Sequence, residues 1–506
     1  MHPLNRPHQA ETYQKVIKST KKWIVISAPV GSGKSAYAAQ AGHDGYRVMS
    51  LVKTKVLQEQ YKDSYDFKVV KGKGSYACLN GFAPAADLCR VEGLERKENC
   101  LPFCPYPQDV EAMLDSNFAS LNYSKYLLEC RDNGLVSRYS PQLLFLDECH
   151  QLSDITIDWS GLTIAWDKVS EWIEPEFISP HSPQVKQVRL AVDWLNDLKA
   201  ELAKSEPRTP DKDSSSDEIR RYRAWDNLYK KIKNTLSMID TGKEYWFCQS
   251  DEKGGFRLKP LTARFHFSQL FNKAKKVVLM SATMKETDLP ELGIYDDYDF
   301  ISVPNSWPAS DRPIEDLKAP AYTAKSDYQE KLYHSQVISN RINQTPRDWT
   351  SLIHVTSKKM AAELGNMVKK QTNRPVWIPT EERGTEHALS SFLDFLAYKK
   401  GGIGVTWQFY EGVSLDDVNT VISARCPYPD FSEPFENQRF DFDKKAGMSR
   451  VANLIEQQQG RNRRGYAEHY GPDAAKLNCL ADGKWSRLRN MLSKDFTDAV
   501  ITLPPK

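Results

Sequence analysis

The sequence has no run of about 18 apolar residues that could span a bilayer, and its start, Met1-His2-Pro3-Leu4-Asn5-Arg6, lacks the apolar core of a signal peptide. A soluble, cytoplasmic protein without a membrane partner is expected. Charge of one sign is lacking too: 69 Lys and Arg stand against 66 Asp and Glu, a formal net charge of +3. Any nucleic acid must then be met by local basic grooves rather than by a global field. There is no short internal repeat and no heptad run, which argues against a solenoid or a coiled coil. Cysteine is sparse except in one place. Of nine, Cys78, Cys89, Cys100 and Cys104 crowd into one segment, which in a reducing compartment favours metal over disulfides. Cys130, Cys149, Cys248, Cys426 and Cys479 are scattered and read as ordinary thiols.

What is present is length and a phosphate-loop pattern. The 506 residues allow three or four compact units of about 150 residues. Between Trp23 and Ser35 the β-branched run Ile24-Val25-Ile26 opens into Ala28-Pro29-Val30-Gly31-Ser32-Gly33-Lys34-Ser35, and Ala36 to Ala41 favours a helix. Glycines let backbone N–H groups approach an anion closely. In such a loop the amides of Gly31, Ser32 and Gly33 and the helix N-terminus cradle ATP phosphates. Lys34 reaches the β/γ oxygens and the Ser35 hydroxyl holds Mg²⁺. Ala28 replaces the usual first glycine, a mild departure because the two glycines nearest the lysine remain.

Further along, Arg47 to Val52 and Phe67 to Val70 read as strands and Thr54 to Tyr61 as helix, whereas Lys71 to Pro107 has no clear periodicity and reads as an insertion. Helical patterning returns at Asp109 to Leu114 and Ser124 to Cys130. The apolar run Gln142 to Leu146 then ends in Asp147-Glu148-Cys149-His150. From about Trp159 to His266 the strand–helix alternation stops. Amphipathic stretches Gln184 to Ala203 and Ile219 to Ile239 are expected to form a helical hairpin, followed by a β-hairpin at Tyr245 to Leu261. Lys276 to Met280 resumes a buried strand and leads into Ser281-Ala282-Thr283, and the proline-spaced Pro304 to Pro320 reads as a connector. Strand candidates at Leu352, Val376, Gly402 and Thr420 alternate with helices beyond it, a second α/β sheet.

Asp147 at a strand end can bind Mg²⁺ while Glu148 polarises an attacking water. Gln457, Arg461 and Arg464 stand at helical spacings of four and three, so one face can present an amide and two guanidiniums to a γ-phosphate. A basic solvated helix, or one that binds nucleic acid, is the alternative.

Taken together, the phosphate loop, Asp147-Glu148-Cys149-His150, Ser281-Ala282-Thr283 and Gln457-x-x-Gly460-Arg461-x-x-Arg464 resemble superfamily 2 helicases in kind and order. Local segments narrow the resemblance to the iron–sulfur XPD/DinG group: Thr54 to Gln60, Gly74 to Cys78, Cys104-Pro105-Tyr106, Asn122-Tyr123, Phe409 to Val413 and Cys426-Pro427-Tyr428-Pro429. The resemblance implies two RecA-like parallel-sheet motor domains, with an iron–sulfur insertion and a helical Arch insertion in the first. It implies the boundaries 1–71, 108–158 and 267–318 for the first domain and its linker, 72–107 and 159–266 for the insertions, and 319–506 for the second domain. It implies a DNA helicase that hydrolyses ATP with Mg²⁺ and moves 5′ to 3′ on single-stranded and forked DNA as a monomer, in repair or replication. Gln9 and Glu411 are brought to the nucleotide by the same resemblance. Ser414 departs from the family's aspartate, and the chain is short for the group, as a DinG-like member with a reduced Arch would be.

The four clustered cysteines are separated by 10, 10 and 3 residues. Spacing alone leaves a [4Fe–4S] cluster, zinc and plain buried thiols open. The resemblance favours iron–sulfur. Lys71, Lys73, Tyr76, Arg90, Arg96 and Lys97 interleave charge and aromatic groups, as either a single-strand path or a solvated loop. An RNA-directed motor with zinc, or an ATP-gated nucleic-acid-binding subunit without processive unwinding, are the competing functions.

Overall fold

The computed structural model describes residues 4–502 apart from 7, 78–103, 131–132, 166–168, 170–171, 173–187, 211–213, 240–244, 251–254, 306–308, 310–311, 324, 380–384, 410–414, 416–417 and 461–475. Its first sheet has seven parallel strands in the order Tyr298–Ser302, Trp23–Ser27, Lys276–Ser281, Leu143–Asp147, Val48–Val52, Phe118–Asn122 and Lys68–Val69. Side chains alternate across a strand. Val25, Leu144 and Val277 therefore enter one core, while Ile24, Phe145 and Val278 enter the core on the opposite face. Burial on both faces is why the central strands Trp23–Ser27, Lys276–Ser281 and Leu143–Asp147 are near-continuous apolar runs.

The second sheet, also seven parallel strands, runs Val376–Trp377, Ile403–Thr406, Ser351–His354, Thr420–Ser423, Leu477–Asp482, Ile314–Ala319 and Val500–Thr502. Ile314–Ala319, expected to be a connector, is thus a strand of this sheet. Its charges hid it: Glu315 is buried there because Arg341 Nη2 donates to Glu315 Oε1 at 2.8 Å.

Between Leu143–Asp147 and Lys276–Ser281 of the first sheet the chain builds a separate unit. Leu162–Ala165, Gly255–Pro260 and Trp246–Ser250 form an antiparallel sheet, with Gly255–Pro260 central, and share a core with the helices Val188–Lys204 and Ser216–Ile239. Trp225 Nε1 donates to the Leu202 carbonyl at 2.8 Å, tying the two helices together. The expected helical pair and β-hairpin are both present, and Leu162–Ala165 adds a strand that the sequence did not announce.

Register positions the site. Ser27 pairs with Ser281, and Asp147 pairs with Met280, one residue short of it. The phosphate loop, the Ser281 segment and Asp147 consequently leave the carboxyl ends of three adjacent strands, the edge where α/β sheets bind ligands.

Candidate active site between the two sheets

Gly31 and Gly33 have φ of 82° and 76°, the left-handed backbone that turns successive N–H groups toward one point. Helix Ser35–His43 starts directly after Lys34. The loop is braced from behind by Gln9, only 1% exposed, whose Nε2 donates to the carbonyls of Ser32 at 2.9 Å and Gly33 at 3.1 Å. A Cβ on Gly33 would lie 2.5 Å from that Nε2. Arg6, which the sequence did not single out, donates from Nη1 to the Gly31 carbonyl. Lys34 Nζ donates to the Ala28 carbonyl at 3.3 Å, which keeps the ammonium folded over the loop.

Asp147 ends its strand in a buried setting. Tyr61 donates to Asp147 Oδ2 at 3.3 Å, and Tyr123 donates to the Asp147 carbonyl at 2.6 Å. Burial, reinforced by the Glu148 charge and opposed by Lys34, pushes the Asp147 carboxyl up to about 6. Neither tyrosine was expected at the site. Tyr61 follows the Thr54 to Gln60 segment directly, and Tyr123 starts a helix capped by Asn122, which accepts from Lys125 N at 2.8 Å. Glu148 has φ 51° and ψ 45°, an uncommon backbone for a non-glycine residue, and its N–H donates to Asp147 Oδ1 at 3.0 Å. That turn sends the two consecutive carboxylates in different directions.

From Glu148 a polar chain crosses to the second domain. Glu148 Oε2 is 3.5 Å from His150 Nδ1, which is 3.0 Å from Ser281 Oγ. Ser281 Oγ accepts from Thr283 N at 3.2 Å, and Gln457 Nε2 of the second domain donates to Thr283 Oγ1 at 3.4 Å. Gln457 is 1% exposed. Lys285 adds contacts with Asn453 and, at 3.4 Å, with Glu456. Gly460 packs so close that a Cβ there would lie 3.1 Å from Val30 Cγ2 of the loop, and a cleft of about 100 Å³ remains among Pro29, Val30, Thr283 and Gln459.

Lys34, Ser35, Asp147, Glu148, Gln9 and Gln457 are therefore gathered on the facing edges of the two sheets. The helix Lys444–Gln459 ends with Gly460 as its C-cap. Arg461 and Arg464, expected to continue the Gln457 face, lie outside the described residues, as do Glu411 and Ser414. Cys78, Cys89 and Cys100 also lie outside them, while half-buried Cys104 sits at the N-cap of Pro105–Leu114. Among the described residues no group of three or more His, Cys, Asp or Glu forms a metal site. Mg²⁺ bound through one carboxylate and ATP phosphates requires no such group. The single-strand path sketched from charge and aromatics changes: Tyr76 is 9% exposed, donates to Asp109 Oδ2 at 2.8 Å and packs on Tyr106, so it offers no base platform. Lys71 pairs with Glu59, and Arg90, Arg96 and Lys97 are outside the described residues.

A scan against protein-family models and a search of curated proteins each found no match. Solved structures do match. "XPD_Helicase" is 14% identical, with 98% of this chain and 99% of that chain covered at a TM-score of 0.59. Xpd4 of S. tokodaii is 14% identical, with 98% and 99% covered at 0.58, and "XPD_APO" is 13% identical, with 97% and 100% covered at 0.57. Coverage of both chains is nearly complete in each case. With its two parallel seven-stranded sheets facing each other across the phosphate loop, the chain has the fold of the XPD helicases.

Proposed function

We propose that this protein is an ATP-driven motor that moves 5′ to 3′ along single-stranded DNA and unwinds forked duplexes. The observation that carries the proposal is the continuous polar chain from Glu148 through His150, Ser281 and Thr283 to Gln457, which ties the hydrolytic carboxylate to the second domain. ATP lies on the Gly31 to Gly33 loop. Lys34 neutralises its β/γ oxygens, Ser35 and Asp147 would hold Mg²⁺, which would supply further charge neutralisation there, and Glu148 orients the water that attacks the γ-phosphorus. Gln457, Arg461 and Arg464 meet the transferring phosphoryl from the second domain, and Glu411 lies near the same nucleotide. Loss of the γ-phosphate removes the charge that draws the two sheets together, so each turnover opens and closes the cleft and advances the strand.

Cys78, Cys89, Cys100 and Cys104 would hold a [4Fe–4S] cluster. The four thiolates are the right donor set, and half-buried Cys104 starts a helix with no side-chain bond to that helix's own amides. The cluster would serve as a tie between the two ends of the 72–107 insertion.

The test is strand displacement by the purified protein on forked DNA with a 5′ or a 3′ single-stranded tail, on RNA counterparts, and with iron and zinc analysed in anaerobic preparations. ATP-dependent displacement that needs the 5′ DNA tail, in iron-loaded protein, is expected. ATP hydrolysis without displacement would assign an ATP-gated nucleic-acid-binding subunit, and displacement confined to RNA by zinc-loaded protein would assign an RNA motor.

A further inference from the structure

Helix Pro434–Phe442 belongs to the second domain and carries none of the residues placed on ATP, yet its buried side is fixed inside the first domain. Phe435 is 5% exposed and lies in the same hydrophobic core as Trp23, Phe247 and Phe267, with its ring 5.4 Å from that of Phe247. One turn further on, Arg439 is 4% exposed. Its Nη1 is 2.7 Å from Asp154 Oδ1, and its Nη2 donates to Ser153 Oγ at 2.9 Å and lies 3.8 Å from Glu291 Oε1. Glu291 also accepts from Ser153 Oγ at 2.7 Å and Thr262 Oγ1 at 3.1 Å, and faces Arg450 at 3.8 Å.

These partners have particular addresses. Ser153 and Asp154 lie on helix Leu152–Ser160, which begins two residues after His150. Glu291 lies on the turn Glu286–Leu292, just beyond Thr283. Arg439 thus joins the two first-domain segments that continue from the hydrolytic motifs. Its own helix leads through Asp443 into Lys444–Gln459, the helix whose last turn carries Gln457. Asp443 caps that helix, accepting from Ala446 N at 2.9 Å, and pairs with Arg264 of the first domain at 3.6 Å. The planar guanidinium is held through its two terminal nitrogens by a carboxylate, a hydroxyl and a second carboxylate, which fixes its direction, while its Nε has no hydrogen-bond partner among the described residues.

We infer that Arg439 is a positioning residue for ATP hydrolysis: it pins the start of the Lys444–Gln459 helix to the first domain and thereby sets how Gln457 meets Thr283. The inference rests on the proposed ATPase. Nucleotide contacts on the first-domain loop do not involve Arg439, so its loss displaces the group that meets the γ-phosphate while the binding loop stays intact. Displacement of about 1 Å at such a site costs about 10²-fold in rate.

Steady-state ATPase assays with saturating single-stranded DNA test this in the full chain. Arg439→Ala lowers kcat about 10²-fold with KM for ATP little changed. Arg439→Lys falls between it and the wild type, because a point charge can meet Asp154 without also reaching Ser153 and Glu291. Wild-type kcat in folded Arg439→Ala protein, or a loss expressed mainly in KM, overturns the inference. If Arg439→Ala does not fold, the Ser153→Ala, Asp154→Ala double variant removes its two nearest acceptors instead, and it must show the same loss confined to kcat. Hydrogen exchange without nucleotide gives a readout that does not depend on the ATPase. Faster exchange along 444–459 in Arg439→Ala supports the inference even if the wild type hydrolyses nothing, a result that would sink the proposed function alone. Unchanged exchange contradicts it.

Discussion

The two seven-stranded sheets share an architecture and differ in the residues just past their strand ends. Glycines, Lys34, Asp147 and Glu148 leave the carboxyl edge of the first, so it presents charge and a backbone anion nest. The same edge of the second carries one buried carboxylate, Asp482, which accepts from Cys426 N at 3.1 Å, and beside it neutral groups bonded to one another. Ser423 donates to Gln458 Oε1 at 2.6 Å and accepts from Gln459 Nε2 at 2.8 Å, and Gln459 Nε2 also donates to the Cys479 carbonyl at 3.1 Å. On the proposed reading, one sheet builds the site for phosphate and metal. The other builds a polar seat that holds one helix against it. Parallel-sheet folding dictates neither role; the side chains at the strand ends do.

This difference can be broken from the second-sheet side first. If Arg461 and Arg464 reach the γ-phosphate from the end of the seated helix, Arg461→Ala or Arg464→Ala lowers turnover about 10³-fold with little change in nucleotide affinity. An ATPase titration with single-stranded DNA at two salt concentrations checks this. Rescue of both variants at saturating DNA would move the helix to the nucleic-acid track, where lost guanidiniums weaken binding in a salt-dependent way.

The first-sheet edge is sharpened by pH. Asp147 lies buried beside Glu148, Lys34 and Tyr61, and its pKa is raised from 3.8 to about 6. Below about pH 6 the folded, nucleotide-free protein therefore holds a proton there that Mg²⁺ must displace. Mg²⁺·ATP affinity should fall about tenfold per unit as pH drops below about 6. Calorimetric titration across that range, with Asp147→Asn as a pH-independent and weaker binder, is the measurement. By the same raised pKa, this carboxyl makes the nucleotide-free protein less stable as pH rises from about 4 to about 6.

The smallest effect belongs to the polar seat. Ser423→Ala leaves Gln458 Oε1 without its buried donor and should lower unfolding stability by about 1–3 kcal/mol while nucleotide affinity stays unchanged. Denaturant unfolding and nucleotide titration on one preparation separate the two.

The phosphate loop and Asp147 were legible because each depends on local chemistry: a strand, two glycines and a lysine in one, an apolar run ending in carboxylates in the other. The strands at Phe118–Asn122 and Ile314–Ala319 were not, because polar and charged residues inside them interrupt the apolar pattern until tertiary partners such as Arg341 satisfy the charge. Helix Pro434–Phe442 was missed for a related reason, since it buries a phenylalanine and an arginine in a core supplied by the other domain. Tyr76 shows the converse: an aromatic among lysines reads as either a base platform or part of a solvated loop, and Asp109 and Tyr106 claim it instead. His150 could have been read further, since its place three residues after Asp147 on a tight turn leaves it little to face except the neighbouring strand end carrying Ser281.

The central claim is that the first-sheet edge hydrolyses ATP for a nucleic-acid motor, and it is met most directly by ATP turnover with and without single-stranded DNA in wild-type, Lys34→Ala and Glu148→Gln proteins. Turnover stimulated by DNA is expected in the wild type and should vanish in Lys34→Ala. In Glu148→Gln it should fall about 10²- to 10⁴-fold while ATP still binds, because Lys34, Ser35 and Asp147 remain. Near-normal turnover in either folded variant, or a wild type that hydrolyses no ATP on any nucleic acid, would contradict the account.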